Sequence, residues 1–200
     1  VMGLRVERHI YLTVAVAFVA ATTPDPETYL AVKEAVALFV TEMAAGLTHC
    51  AVSVAVNTAD RPEEGIFYLT ATGTSAEQGD DGQVGRGNRA TGLITPMRPM
   101  TLEATAGKNP VSHVGKLYQV YGQLIVERLC AEIPEVRAAS CALLSRIGSP
   151  ITDPQAVSVY LECDLPEAVL RAPVEGIIRS VLDEWAAIRD GFLHRRWTLF

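Results

Sequence analysis

The chain of 200 residues is long enough for one or two domains, and a chain of this size buries about 70% of the surface that its unfolded form exposes. Hydrophobic residues make up 49% and charged residues 20%, which is the ordinary balance of a folded globular protein. The net charge of −6, without a long run of Lys or Arg, excludes nucleic acid and anionic membranes as partners bound by bulk attraction.

The first apolar run, residues 10–21, follows Arg5 and Arg8, an order that also occurs in signal peptides. Glu7 interrupts the basic lead, and the run is rich in β-branched residues, which suit a buried strand. The run is also too short to span a membrane. We therefore predict a central strand over residues 10–19.

A helix is predicted next, because Asp25 is a good N-cap and Pro26 suits the first helical turn. Gly46 is expected to end it. Its apolar residues recur at helical spacing and are expected to face the core; they are Tyr29, Val32, Val36, Phe39, Val40 and Met43. Strands are then predicted over residues 51–57 and 66–72.

Residues 73–107 have no clear period, and a long irregular stretch inside a compact domain is usually functional. The elements predicted after it are a helix that starts at Asn109-Pro110, strands over residues 136–144 and 156–161, and a last helix that opens at Pro173 and includes Trp185 and Ile188. The first of these helices has an apolar stripe at helical spacing, which consists of Val114, Leu117, Tyr118, Tyr121, Ile125 and Leu129.

The resulting order, β-α-β-β, loop, α-β-β-α, predicts an α+β fold with helices on one face of mixed or antiparallel sheets. We place a domain boundary after residue 108. Residues 1–108 then form a unit that ends in the long glycine-rich loop, and residues 109–200 form a C-terminal unit.

The four cysteines are Cys50, Cys130, Cys141 and Cys163. They form no Cys-x-x-Cys pair, and no His lies at zinc-ligand spacing beside them. We interpret them as small buried side chains in a reducing cytoplasm, with a structural disulfide as the minority alternative.

The stretch from Gly73 to Lys116 has the composition of a polyanion-binding site. Its glycines let the backbone approach a ligand closely and offer N–H donors. Its positive charge, in an otherwise acidic chain, comes from Arg86, Arg89, Arg98, Lys108 and Lys116.

The predicted positions of these residues agree with that interpretation. Lys108 directly precedes the expected helix start, where free N–H groups and the helix dipole favour phosphate. His113 and Lys116 are three residues apart and are expected to share a helix face. Asp80 and Asp81 are candidates to hold Mg²⁺ or a substrate ammonium group.

Each feature also has an ordinary explanation. Gly-Asp-Asp-Gly is a common turn, Lys108 fits a solvated helix cap, and His113 fits a surface position on a helix. The glycine spacing matches neither a P-loop nor a calcium loop. The residue pattern alone therefore favours a phosphate-ligand site without indicating a reaction.

The run GTSAEQGDDGQVGRGNR, from Gly73 to Arg89, closely resembles the archaeal-type methionine adenosyltransferases, the S-adenosylmethionine synthetases. The strings GLITP, RPM, GKNP and HVGK, at 92–96, 98–100, 107–110 and 113–116, continue the resemblance. It covers essentially the whole chain and starts midway along the family's own chain. It implies an α+β fold built from βαββ-type units.

The resemblance implies that methionine sulfur attacks C5′ of ATP and expels the triphosphate, which is then cleaved to pyrophosphate and phosphate. Stabilising so charged a leaving group requires fixed cations and Mg²⁺. K⁺ is a further candidate cation. The implied substrates are ATP and methionine, and no nucleic acid or membrane is expected as a partner.

The resemblance also assigns residues by matching the bacterial motifs. It implies catalytic roles for Asp80, Arg86, Lys108 and His113. The bacterial metal motif Lys-Val-Asp appears here as His113-Val114-Gly115, so its aspartate is absent and Asp81 becomes the candidate metal ligand. The residues implied to bind ATP or its phosphates are Gly79, Gly82, Gly85, Arg89, Asn109 and Lys116.

The family builds its site between two subunits and uses both halves of its chain. We therefore expect a homo-oligomer, specifically a dimer, and a need for the missing N-terminal half, so that this chain alone is inactive. One alternative is a non-catalytic or regulatory module that binds nucleotide or polyphosphate. Another is a fragment without an independent role.

Overall fold

The computed structural model describes residues 1–73, 90, 92, 96–97, 101 and 103–199. The chain divides into two compact units, Val1–Asp81 with Arg146–Ser149, and Gly82–Ser145 with Pro150–Phe200. These units are defined by spatial proximity. The domain boundary that the sequence places after residue 108 is a separate interpretation, and it stays a prediction.

The first unit contains a mixed three-stranded sheet and one long helix. The sheet has the order β1-β2-β4, with β1 antiparallel to β2 and β2 parallel to β4. A separate parallel pair joins β3 and β5. The bounds are β1 Met2–Val6, β2 His9–Val14, β3 Phe18–Val19, α1 Pro26–Ala45, β4 Ala51–Val56 and β5 Leu69–Thr70, with 3₁₀ turns at Ala20–Thr22 and Pro62–Glu64.

The strand predicted over residues 10–19 is in fact two strands, because Asn57 interrupts it. The Asn57 side chain accepts a hydrogen bond from Val16 N at 2.7 Å and donates one to Val16 O at 2.9 Å. Val16 therefore has both backbone groups satisfied without a neighbouring strand. The prediction over residues 66–72 was also too long, since only Leu69–Thr70 is a strand, and β1 was missed.

Helix α1 starts as predicted: Asp25 is its N-cap and accepts a hydrogen bond from Thr28 N at 2.7 Å. Its predicted inward stripe is wrong, because Tyr29 is buried but Val32, Phe39 and Met43 are exposed. Leu30 and Leu38, outside the stripe, are exposed as well. Apolar residues occur all around this helix, so spacing alone does not identify the face that packs on β4.

A buried polar network fixes the start of α1 to the end of β4. The Asp60 carboxylate, whose side chain is 4% exposed, accepts hydrogen bonds from Lys33 Nζ at 2.6 Å and Tyr29 Oη at 2.9 Å. Its other oxygen accepts from Tyr68 N at 3.2 Å. Asn57 Nδ2 donates to Tyr29 Oη at 2.7 Å. Every polar side chain in this network therefore has a partner, as burial requires.

The second unit contains three helices and an antiparallel pair of strands. Its elements are α2 Val114–Glu132, β6 Ala138–Leu144, β7 Ala156–Glu162, α3 Glu167–Asp183 and α4 Trp185–Leu193. Strands β6 and β7 pair with Ala138 opposite Glu162. The fully buried part of the core consists of Leu117, Tyr121, Ile125, Leu129 and Val181. The first four belong to the stripe predicted for this helix, which is confirmed there.

The last predicted helix starts six residues earlier than expected and is broken in two. Pro173 lies inside α3 rather than at its start, and Pro166 precedes the first helical residue as N-cap. Leu170 is buried in the core, so the turn before Pro173 packs as part of the helix. The break falls at Glu184, whose carboxylate pairs with the Arg128 guanidinium at 2.7 Å.

The predicted α+β class, with mixed and antiparallel sheets, is confirmed by these elements. None of the described helices is both long and apolar enough to cross a membrane. All four cysteines are free; Cys130 is exposed and the other three are half-buried, so the expectation that the cysteines are buried is wrong for Cys130 and holds only in part for the others. Burial raises the pKa of the Cys141 thiol to about 11.

We expect Asp60→Asn to lower the free energy of unfolding of the chain by about 2–3 kcal/mol, because Lys33 and Tyr29 lose a charged acceptor in a buried place. Denaturant unfolding followed by far-ultraviolet circular dichroism measures this. The control is Glu64→Gln, which removes an exposed ion pair with Arg61 and should change the free energy by about 0.5 kcal/mol or less. Equal effects from both variants would contradict the importance of the network.

Candidate functional site

The segment before α2 is held by the C-terminal tail of the same unit. Thr105 is fully buried, and its hydroxyl donates to Leu199 O at 2.9 Å. Upstream, Glu103 N donates to Thr101 Oγ1 at 3.1 Å. Gly107 has a φ of 77°, a left-handed conformation that glycine adopts without strain. The chain therefore reaches Lys108 along a path that is fixed at several points.

The tail is itself anchored on α4 through Trp197. Its indole Nε1 donates to Ile188 O at 2.8 Å, and its ring meets the Phe192 ring edge-on at a centroid distance of 6.5 Å. Gly191 makes this packing possible, because a Cβ at that position would collide with Trp197 Nε1. The tail packs tightly enough to brace the segment that leads to α2.

The helix predicted to start at Asn109 starts five residues later, at Val114. Asn109 instead caps a turn: its side-chain oxygen accepts from Val111 N at 2.8 Å, and its carbonyl accepts from His113 N at 3.2 Å. An asparagine side chain that bonds its own backbone two residues on favours such a turn over a helix. The sequence indicated that Lys108 directly precedes the helix. That prediction is wrong, because the turn capped by Asn109 separates Lys108 from Val114.

His113 is the N-cap of α2. Its Nδ1 accepts a hydrogen bond from Gly115 N at 3.0 Å, so the imidazole satisfies one of the free N–H groups at the start of the helix. Nδ1 accepts only if it carries no proton, which places the ring proton of the neutral form on Nε2. His113 is exposed, whereas Lys116 is buried, so the two differ in their access to solvent.

Lys108 is paired with Glu103 across the turn. Its ammonium lies 3.1 Å from Glu103 Oε1, and its side chain is 21% exposed, against 46% for that of Glu103. An ion pair of this kind restrains a lysine side chain that would otherwise rotate freely. Lys108 therefore presents its charge at a defined place.

Lys116 is a buried cation, 6% exposed, in the first turn of α2. Its Nζ lies 5.5 Å from the centre of the Phe192 ring, close enough for a cation–π interaction. Burial lowers the pKa of Lys116 below its ordinary value, and the positive charge of Lys108 lowers it further. Among the described residues, no carboxylate pairs with the Lys116 ammonium.

The positive charge of Lys108 thus acts on a second lysine, Lys116, that is buried. Two ammonium groups repel each other, and burial penalises each charged form. A multivalent anion would relieve both penalties, and the N-terminal end of α2 adds the positive end of its dipole. This arrangement is suited to binding a polyphosphate.

The sequence model of the S-adenosylmethionine synthetase (AdoMet synthetase) family matches residues 1–196. The chain belongs to this family. It is 48% identical over its full length to a protein named probable S-adenosylmethionine synthase from Aquifex aeolicus, and it covers 50% of that protein. An S-adenosylmethionine synthase from Hyperthermus butylicus is 46% identical, also with 50% covered. One from Halobacterium salinarum is 48% identical over 95% of this chain.

The chain spans about half the length of the curated relatives it matches. The predicted family membership is confirmed by the family match over residues 1–196 and by these relatives.

The structure describes four of the predicted site residues, Lys108, Asn109, His113 and Lys116. It brings Lys108 close enough to Lys116 to lower its pKa, and it gives Asn109 and His113 capping roles. The others lie outside the described residues, and their roles stay predictions; they are Gly79, Asp80, Asp81, Gly82, Gly85, Arg86 and Arg89.

Glu103 and Phe192, which contact the two lysines, were missed as site residues. Glu103 carried a usable signal, because it is the only acidic residue of the sequence between residues 82 and 116, a stretch that is rich in cations. Phe192 carried none, because it lies 76 residues after Lys116 in the sequence and reaches it only through the packing of α4.

The described residues fit Mg²⁺ only as part of a shared site. They contain no group of three or more His, Cys, Asp or Glu side chains that could hold a metal ion. Mg²⁺ commonly takes one or two protein carboxylates together with substrate phosphates and water. The exposed Glu103 carboxylate beside Lys108 is compatible with such a shared site.

Lys116→Met should raise the free energy of unfolding at neutral pH, because it removes a buried charge. In the wild type, the ordinary pKa of 10.5 applies to Lys116 in the unfolded state, and a lower pKa applies in the folded state. At pH values between these two pKa values the unfolded state binds more protons, so the free energy of unfolding should rise with pH across that range. The variant should lack this rise.

Denaturant unfolding at several pH values between 7 and 10.5 measures the difference between wild type and variant. Lys116→Arg serves as the control, because arginine stays charged throughout and should give no stabilisation at neutral pH. A Lys116→Met variant that is less stable than wild type at pH 7 would refute the burial penalty.

Proposed function

We propose that this chain is the C-terminal half of a methionine adenosyltransferase, which forms S-adenosylmethionine from ATP and methionine and releases pyrophosphate and phosphate. The family membership and the names of the relatives support this proposal. The observation that carries it at the level of the site is Lys116, a cation buried in the first turn of α2. We further propose that the chain is inactive without the other half.

The reaction explains why two neighbouring cations are useful. As methionine sulfur bonds to C5′, the electron pair of the C5′–O bond moves to the triphosphate, whose negative charge increases. Fixed positive groups stabilise that developing charge more than they stabilise the substrate. Lys116 is well suited to this role, because its desolvated ammonium interacts more strongly with an anion than one in water.

The remaining predicted residues complete this proposal. We propose Asp80 and Arg86 as catalytic partners of Lys108 and His113, and Arg89 as a further phosphate-binding cation. The glycines at 79, 82 and 85 would offer backbone N–H donors to the phosphates. Asn109 is proposed as a phosphate ligand through the turn that it caps.

Mg²⁺ is the proposed metal, with Asp81 as its ligand and K⁺ as a further candidate cation. When bound, Mg²⁺ would supply additional positive charge for the phosphates. The chain's own contribution is to hold Lys108 and Lys116 and to cap α2 with His113.

We propose that the working enzyme is a homodimer that also contains the N-terminal half. Support comes from the apolar stripe of α1, where Val32, Phe39 and Met43 recur at helical spacing and are exposed. Monomeric proteins seldom leave large apolar patches uncovered. The free cysteines support a reducing, cytoplasmic location.

The chain alone should produce no S-adenosylmethionine from ATP and methionine. We expect activity from a chimera that joins the unmatched half of the Aquifex aeolicus relative, proposed to be its upstream half, to residue 1 of this chain. Chromatographic assay of the product in both samples, with Mg²⁺ and K⁺ present, checks this. Turnover by the isolated chain would contradict incompleteness. A chimera that binds triphosphate without turnover would favour the non-catalytic module.

In the active chimera, Lys108→Met should lower kcat by about 100-fold, which is typical when one fixed group that stabilises transition-state charge is removed. The matched control is Arg137→Met, which removes a cation from an exposed ion pair with Asp164 and should leave kcat unchanged. Equal kcat values for the Lys108 variant and the control would exclude Lys108 from the reaction.

A further inference from the structure

We propose that Glu103 is a positioning residue that holds Lys108 for the triphosphate, and that position 115 is glycine to admit the Glu103 carboxylate. This inference rests on the proposed function, because it concerns the same phosphate-binding site. It assigns a role to two residues that neither the motif match nor the site prediction singled out for phosphate binding.

The contact between Glu103 and Gly115 is the first observation. A Cβ placed on Gly115 would lie 2.6 Å from Glu103 Cγ, 2.7 Å from Glu103 Oε1 and 3.0 Å from Glu103 Cδ. Atoms do not approach a real Cβ so closely, so any other residue at 115 would displace the carboxylate. The Glu103 side chain thus occupies the space that the side chain of residue 115 would take.

The helical position of Gly115 is the second observation. Glycine within a helix costs about 1 kcal/mol relative to alanine. Gly115 lies in the first turn of α2, and its φ is not in the left-handed region, so its backbone conformation does not require glycine. The Glu103 side chain is therefore the neighbour that a side chain at position 115 would have to displace.

The effect on Lys108 follows from the same geometry. Glu103 is fixed at its backbone by Thr101 and at its side chain by the surface of Gly115, and its Oε1 lies 3.1 Å from Lys108 Nζ. The positive charges of Lys108 and Lys116 repel each other, and this repulsion favours movement of the Lys108 side chain away from Lys116. A fixed carboxylate counters that push and keeps Lys108 in place before any ligand arrives.

A carboxylate near a triphosphate also has an opposing effect, because like charges repel. If Glu103 were simply a neighbouring negative charge, its removal would strengthen triphosphate binding. If Glu103 positions Lys108, its removal weakens binding, because Lys108 must then be ordered when the ligand binds. The sign of the change distinguishes the two roles.

The experiment measures binding of inorganic triphosphate by calorimetry, in the active chimera, for wild type, Glu103→Gln, Glu103→Asp, Gly115→Ala and the double variant Glu103→Gln with Gly115→Ala. We expect Glu103→Gln and Gly115→Ala each to weaken binding about tenfold, the loss of one charge-assisted contact. The double variant should be no weaker than either single variant, because both changes remove the same contact. Glu103→Asp should restore part of the affinity.

A second readout follows the lysine directly and does not depend on activity. The 200-residue chain has three lysines, Lys33, Lys108 and Lys116, so ¹³C-methylation of their amino groups gives few NMR signals. In the isolated chain, Glu103→Gln and Gly115→Ala should both move the Lys108 signal and leave that of Lys33 unchanged. Glu127→Gln, the same charge change farther along α2, is the control and should move neither signal.

The outcomes separate the two proposals. If the wild-type chimera neither binds triphosphate nor turns over, the proposed function fails, and the positioning role fails with it. If the wild type binds and Glu103→Gln binds equally well or more tightly, only the positioning role is overturned. Additive losses in the double variant would overturn the link between Glu103 and Gly115.

Discussion

The constraint on which the site depends is the buried ammonium of Lys116 in the first turn of α2. Burial makes this charge costly, and the positive charge of Lys108 adds to that cost. Glu103 pairs with Lys108, and the ring of Phe192 lies beside the Lys116 ammonium. Across the residues that the structure describes, no carboxylate pairs with Lys116, which agrees with the polyanion proposed as its ligand.

Holding Lys108 and Lys116 at defined positions requires a rigid support. The packing around α2 and the segment that precedes it supplies that support. The buried face of α2 continues from Lys116 into Leu117, which is fully buried in the core. The preceding segment is tied through Thr105 to the tail, and the tail is tied through Trp197 to α4. Rigid supports lower the free energy needed to order a site when the ligand binds. The contacts of Thr105 and Trp197 thus stabilise the second unit and also fix the segment that leads to the proposed ligand site.

The sequence predicted the elements whose signals are local. Asp25 and Pro26 identified the start of α1, and the apolar spacing of α2 identified its buried face. Two of its errors came from packing that local sequence does not show: Asn57 binds Val16 and divides a strand, and the apolar spacing of α1 does not reveal which face packs. The helix start placed at Asn109 failed for a local reason, because the Asn109 side chain accepts from Val111 N and forms a turn. At the site, Lys108 and Lys116 followed from composition. The role of Gly115 did not, because a missing side chain is informative only when its neighbour is known.

Comparing the buried polar groups of the chain distinguishes stability from function. In the first unit, Asp60 and Asn57 are buried and each has several hydrogen-bond partners, so that network is complete without a ligand. Lys116 is equally buried, yet in the described part of the chain its ammonium has an aromatic ring and a repelling lysine as neighbours. A buried charge without a counter-ion is expensive and persists where function uses it. Within the described ranges, the Lys116 ammonium has no paired carboxylate. This buried charge, more than the number of cations nearby, is therefore the physical argument for the proposed anionic ligand.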